Sequence, residues 1–304
     1  MLFRFEPILR PMVWGSELWV LSAYPERMSV VAEGPCKGFT LNKLIVEMRE
    51  DLVGRDTFRR FGTEFPLLVK FLDVRQPLSI QVHPSELQAR KQTGEHGKNE
   101  MWYVIRAEEG TELMAGLSRH ITPGEYVRKV ADGTITDAIA HHSISAGDVF
   151  FIPPGRIHAL LPGSYVAEIQ QTSDMTYRIF DYNRPGLDGK PRELHTALAR
   201  DTIDYNVYPE YRTRYNHLKN AEIPLASCQF FHTSLLDLDR PFSLDLSGRD
   251  SFTILMCVGG SGSVTSGGRS YRIDPEGCLL VPAIVSRLEF IPDAGGLKLL
   301  LGQA

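Results

Sequence analysis

The residues able to do chemistry in this chain are gathered around three short segments. Gln81-Val82-His83-Pro84 ends one apolar run, Glu100 opens a second, and Pro153-Pro154-Gly155-Arg156-Ile157-His158 follows a third. Residues two apart on a strand project to the same face, so Gln81 and His83 point together into the interior of a β fold. His158 stands just after a proline stop, where a tight turn brings it back over the same mouth. Two imidazoles, one carboxylate and one amide oxygen can then converge on a divalent metal. Two His and one Glu suit zinc with a position left open for water or substrate. The same trio suits a non-haem Fe(II) triad, so ligand type argues for a catalytic metal site and leaves the metal open.

The bulk composition favours a small ligand for such a site. With 33 Lys and Arg against 37 Asp and Glu, the formal charge of -4 gives no global attraction to nucleic acid or to a membrane surface. An anionic ligand must be met by locally placed cations. The first residues, Met1-Leu2-Phe3-Arg4-Phe5-Glu6-Pro7, have no apolar core of signal-peptide length, and no later stretch reaches the roughly 20 apolar residues of a membrane helix. A cytoplasmic protein is the expectation. Cys36, Cys228, Cys257 and Cys278 are scattered without a CxxC pair, so reduced, mostly buried thiols are expected rather than a disulfide framework or thiolate zinc site.

The elements that must position these residues read as short β runs punctuated by Gly, Pro and Asp. Candidate strands are 41–47, 67–72, 78–83, 100–105, 112–116, 148–152, 164–170 and 177–182. Helices are fewer. Thr122-Pro123-Gly124-Glu125 has capping-box spacing with proline at the first helical position, before a helix continuing brokenly toward Ala140. Segments 56–61, 85–92 and 192–202 are weaker helical candidates. Gly147-Asp148-Val149-Phe150-Phe151-Ile152-Pro153 is echoed, one residue shorter, by Gly277-Cys278-Leu279-Leu280-Val281-Pro282. The echo favours two barrels of related design, with a boundary near residues 205–225. Gly259-Gly260-Ser261-Gly262-Ser263 lacks the lysine and following helix of a phosphate loop and reads as a hairpin turn.

Taken together, Trp14-Gly15, Phe65-Pro66-Leu67-Leu68-Val69-Lys70, Leu78-Ser79-Ile80-Gln81-Val82-His83-Pro84, Gly97-Lys98-Asn99-Glu100-Met101-Trp102-Tyr103, Gly147–His158 and the run from Glu168 to Arg178 resemble type I phosphomannose isomerase in its short bacterial form. The likeness spans roughly residues 10–200 in order. It implies an all-β dominated fold of two cupin-like jelly-roll barrels with a few short helices. Residues 1–215 would form the catalytic domain with its helical cover, and 216–304 a second, metal-free barrel. It implies one Zn2+ per chain on Gln81, His83, Glu100 and His158, with Lys70, Lys98, Asp174 and Arg178 in or beside the substrate site. The implied reaction is aldose–ketose isomerisation of mannose 6-phosphate and fructose 6-phosphate. At the position before Lys98, where some longer members carry histidine, this chain has Gly97, which excludes proton transfer from that residue.

The chemistry of the residues agrees. Moving a carbonyl from C1 to C2 of a sugar puts negative charge on two adjacent oxygens, which a divalent cation stabilises. A neutral Gln and a single Glu would leave the centre formally positive. Proton transfer needs an acid–base group, for which Lys98, two residues from Glu100, and Lys70, on the strand upstream, are both candidates. Arg178 suits an enediolate oxygen or the phosphate, and Arg156, Lys98 and Ser79 are further phosphate candidates. The same ligands would serve a non-catalytic sugar-binding cupin or an Fe(II) oxygenase. After Val281-Pro282, no histidine stands where His158 would fall, so the second barrel is expected to hold no metal.

Overall fold

Local sequence accounts for most of the elements in the computed structural model, which describes residues 1–304. Ser85 caps the helix Glu86–Gln92 through a complete capping box with Gln88. Thr122 Oγ1 accepts from Glu125 N at the start of Pro123–Ala131. After residues 132–134 a separate turn of 3-10 helix, Ile135–Ala138, follows, and the chain then leaves as the strand Ile139–Ser143. The candidate helices 56–61 and 192–202 are realised as Arg55–Phe61 and the shorter Thr196–Arg200.

Two expectations are corrected. The candidate strand 41–47 is the helix Leu41–Met48: Thr40 caps it by accepting from Lys43 N, and Leu41, Leu44 and Ile45 form one buried stripe. Spacing of three and four is the helical period, and it outweighs the apolar character that reads as strand. The expected hairpin turn at 259–263 lies inside one 14-residue strand, Thr253–Ser266. Its glycines serve two register shifts against Arg287–Gln303, between Cys257 and Gly259 and between Gly260 and Gly262. Gly260 has φ +64° and a Cβ there would stand 2.1 Å from Gly296 O, so a bulge with close backbone approach explains the glycine run.

The fold is antiparallel β with few helices, as expected, and its core strands form three sheets. One runs in the order Ile8–Met12, Gly15–Leu21, Leu67–Val74, Ser164–Gln171, Glu100–Ala107, Val149–Ile152, Arg212–Thr213. The second runs Tyr177–Phe180, Ile80–Val82, His158–Leu160, Glu112–Leu117, Ile139–Ser143. The first pair of strands was not among those expected. Trp102, Val104, Phe150 and Ile152 of the first sheet share a buried core with Ile80, Val82, Leu113 and Leu160 of the second. That packing makes the two sheets a sandwich whose facing side chains lie inside.

The third sheet holds Glu222–Ser227, His232–Leu238, Arg287–Gln303, Thr253–Ser266 and Arg269–Ile273, with Phe242–Asp245 and Cys278–Val281 paired alongside. It has its own core, with Leu236, Leu255, Val264, Leu279, Phe290 and Leu299 among its members. By internal packing the chain divides into two compact units, one of residues 9–18 and 71–213, the other of 1–8, 19–70 and 214–304. The later division falls between residues 213 and 214. Residues 1–8 and 19–70, however, group with the C-terminal residues and not with the segment that follows them in sequence. No helix is long and apolar enough to cross a membrane.

Candidate metal centre

Register decides which side chains meet. In the second sheet Gln81 is paired with Arg178 on one side and with His158 on the other. Directly opposed residues of an antiparallel pair share a face, so Arg178, Gln81 and His158 form one inward row. On the facing sheet Glu100 is paired with Gln170 and Ile152. His83, two residues beyond Gln81, completes the group from the end of the same strand. His83, Glu100 and His158 are all buried, and one donor atom from each lies within 4.8 Å of the others.

Hydrogen bonds at the far side of each ring set the imidazoles. His83 Nδ1 donates to Met175 O and His158 Nδ1 to Arg156 O, both at 2.8 Å. A carbonyl oxygen only accepts, so each Nδ1 carries the proton and each neutral ring turns the lone pair of Nε2 inward. His83 Nε2 is then 3.4 Å from Glu100 Oε2, and His158 Nε2 is 3.2 Å from Glu100 Oε1. Neither carboxylate oxygen accepts a well-formed hydrogen bond. Acceptors facing acceptors in a buried site call for a cation between them, and backbone-held Nδ1–H groups are the usual outer support of metal-binding histidines. The residues therefore fit a divalent metal. Gln81 Nε2 stands 3.3 Å from His158 Nε2, while Gln81 Oε1 accepts from Ser79 Oγ at 3.5 Å. Rotating the amide by half a turn, which exchanges two nearly indistinguishable ends, turns its oxygen to the group.

The cation present is Lys98. Its Nζ lies 3.0 Å from Glu100 Oε2 and 3.2 Å from His83 Nε2. Burial, then the Lys98 charge, push His83 down to about 3. Burial also lowers His158. Burial opposes ionisation of Glu100, yet Lys98 and the two imidazoles hold its carboxyl well below the usual range. All three groups are thus in metal-binding protonation states at neutral pH.

The sign of the resulting pH dependence follows. The unfolded chain protonates histidine near 6.5, whereas the folded site resists it, so stability is complete above pH 6.5 and falls as pH drops toward 3. Chelator-treated protein is expected to lose on the order of 2 kcal/mol between pH 7.5 and 5.0 from His83 alone. Denaturant midpoints at the two pH values measure this. His83→Asn should flatten the dependence, and an unchanged slope would show that His83 is not held neutral.

The remaining candidates are distributed as follows. Ser79 is buried beside Gln81. Lys70 is buried in the other compact unit, its ammonium 5.9 Å from the centre of the Trp19 ring. Arg156 lends its carbonyl to His158, while its guanidinium lies over the rings of Tyr208 and Tyr211, at 5.2 and 5.0 Å. Asp174 is exposed, 4.0 Å from Arg10. Arg178 Nη1 donates to Glu193 O at 2.9 Å, and its Nε is buried without a partner.

Beyond Arg178 lies a cluster that motif reading missed. Asp181 accepts from Arg192 Nε and Nη2 at 2.6 and 2.5 Å and from Arg184 Nη2 at 2.8 Å. Tyr182 and Asn183 have φ of +56° and +51°, so a tight turn returns Arg184 onto Asp181. Left-handed backbone at a tyrosine is uncommon and clusters at functional sites. Two guanidiniums, Arg184 and Arg192, thus hold one carboxylate, and Arg178 is near enough to feel the charge of all three. Burial, then the charge of Arg192 and more weakly that of Arg184, lowers Arg178, while Asp181 and Asp174 oppose the shift. The density of arginine in this short segment was the available signal.

Fold and site together define a cupin-like β protein with a buried His–Glu–His group competent to hold a metal. Residues 8–118 match the family described as phosphomannose isomerase type I, catalytic domain. Mannose-6-phosphate isomerase ManA of Bacillus subtilis is 31% identical over 91% of this chain and 92% of its own length. The mannose-6-phosphate isomerase of Streptococcus mutans is 32% identical over 91% of this chain and 85% of its own. The crystal structure of the mannose 6-phosphate isomerase from B. subtilis superposes with a TM-score of 0.89 at 28% identity, covering 100% of this chain and 99% of that one. The chain belongs to the type I phosphomannose isomerase family, whose members are aldose–ketose isomerases.

Proposed function

We propose that this chain interconverts mannose 6-phosphate and fructose 6-phosphate at one Zn2+ held by Gln81, His83, Glu100 and His158. The observation that carries the reading is the inward convergence of two imidazole lone pairs on a buried carboxylate, in a chain of this family. When bound, the metal supplies a positive centre for the sugar oxygens at C1 and C2, where an enediolate concentrates charge. Glu100 and the two histidines orient that centre. Lys98, with its ammonium against Glu100 and His83, is the acid–base lysine we assign, in preference to Lys70 beside Trp19. Burial keeps water from competing for the proton that moves between C1 and C2. Arg178, with Arg184 and Arg192 beside it on Asp181, meets the phosphate. Asp174 and Ser79 orient their neighbours Arg10 and Gln81. Arg156, engaged by two tyrosines, is left out of substrate contact.

A coupled assay of fructose 6-phosphate formation from mannose 6-phosphate, before and after chelation, tests the reading. Activity should vanish on metal removal and return with one equivalent of zinc per chain. Turnover that survives complete removal would sink the mechanism. Two tightly held equivalents would contradict the single site, since 283–288 carry no histidine after the strand Cys278–Val281.

A further inference from the structure

Lys98 is buried on a segment whose backbone is tied at three successive amides. Gly97 N donates to Glu86 Oε2 at 2.8 Å, Lys98 N to Pro84 O at 3.1 Å, and Asn99 N to Gln171 Oε1 at 2.9 Å. Gln171 joins the two ends. Its Nε2 donates to Glu86 Oε2 at 3.2 Å, while its Oε1 also accepts from Asn99 Nδ2 at 2.7 Å. The approach leaves no room for a side chain at Gly97, where a Cβ would stand 2.4 Å from Glu86 N and 2.6 Å from Ser85 C. Glu86 itself lies on the partly exposed first turn of the helix Glu86–Gln92, outside the metal group.

We propose that Glu86, acting directly on Gly97 and through Gln171 on Asn99, is the positioning residue that sets the Lys98 ammonium between Glu100 and His83. The inference rests on the assignment of Lys98 made above. The two carboxylate oxygens of Glu86 divide the work: Oε2 takes Gly97 and Gln171, and Oε1 takes Arg90 Nε and His96 Nδ1, each at 3.0 Å. That division separates a clamp on the catalytic segment from an ordinary ion pair along a helix. It also explains the glycine before Lys98, since any larger residue there would push the segment off the helix start.

The division gives the test. Glu86→Ala should keep bound metal and the Michaelis constant near those of the unaltered enzyme while kcat falls about tenfold to a hundredfold, the scale of a misplaced catalytic group. Glu86→Gln retains one oxygen for Gly97 N and Gln171 Nε2, so its turnover should return to within about threefold. Arg90→Ala removes one of the two Oε1 partners, together with the Arg90 bonds to Gly94 O and His96, but leaves both Oε2 bonds in place, and it should leave kcat unchanged. A crystal structure of Glu86→Ala should find Lys98 Nζ displaced from Glu100. If Glu86→Ala proves too unstable to assay, Gln171→Met cuts the same tie at Asn99 and should show the same fall. Turnover within about threefold in folded, metal-loaded Glu86→Ala overturns the proposal, and so does a loss in Arg90→Ala equal to that in Glu86→Ala, which would mean helix stability. Lys98→Met tests the underlying assignment: full turnover there sinks the role of Lys98 itself, whereas its loss alongside an active Glu86→Ala sinks only the clamp.

Discussion

Replacing His158 or His83 by alanine is expected to release the metal and reduce kcat/KM by at least about a thousandfold, while the β fold survives. The size follows from losing a cation worth several kcal/mol of charge stabilisation at the reacting oxygens. The two rings are fixed by backbone carbonyls, Met175 O for His83 and Arg156 O for His158, and alanine removes both the lone pair at Nε2 and the ring that those carbonyls orient. Either change leaves a cavity beside Glu100, and the thermal midpoint should drop. The surrounding core, with Trp102 edge-on to His158 and Ile152 paired with Glu100, remains to hold the sheets together. Metal content after dialysis, circular dichroism and the coupled assay provide the three readouts. A variant that keeps stoichiometric metal and near-normal turnover shows that the residue is no ligand.

The second large effect is expected at Arg178. Lysine there keeps a charge and loses the planar fork able to hold two oxygens at once. Because Arg178 lies within the electrostatic reach of Arg184 and Arg192, its assigned partner is the phosphate, and Arg178→Lys should raise KM for mannose 6-phosphate about tenfold to a hundredfold with kcat nearly kept. Metal content should not change, since Arg178 is joined to the candidate metal group through its backbone pairing with Gln81. A fall in kcat at constant KM would instead put Arg178 on the enediolate and overturn the phosphate assignment. If neither constant moves by more than about threefold, Arg178 is a structural arginine held by Glu193 O.

Some features of this protein are decided by local sequence alone. Alternation places Gln81 and His83 on one face, and Pro153-Pro154-Gly155 turns the chain back so that His158 follows a strand stop; these are consequences of strand geometry and of residues with restricted backbone freedom. The caps at Ser85 and Thr122 act within three residues and were equally readable. Where local signals compete, the reading erred: apolar character in 41–48 suited a strand, and only its helical spacing, buried as a stripe, decided otherwise. Glycines at 259–262 could make a turn or a bulge, and the partner strand Arg287–Gln303 settled it.

What the tertiary structure alone decided are the long-range pairings. Nothing near His83 in sequence names Met175 O as the acceptor of its Nδ1 proton, and nothing near Lys98 names Gln171 as the brace of Asn99. Similar chemistry leaves Lys70 and Lys98 open as candidates, and only the fold puts the Lys98 ammonium 3.0 Å from Glu100 Oε2, the contact on which the proposed assignment rests. Arg156 reads in sequence as a cation in a loop, and only the fold puts its guanidinium over the rings of Tyr208 and Tyr211. The physical reason is the same in each case. A residue's type and its near neighbours set what it can bond to, whereas strand register, fixed by the packing of distant apolar residues, sets which of those bonds it makes.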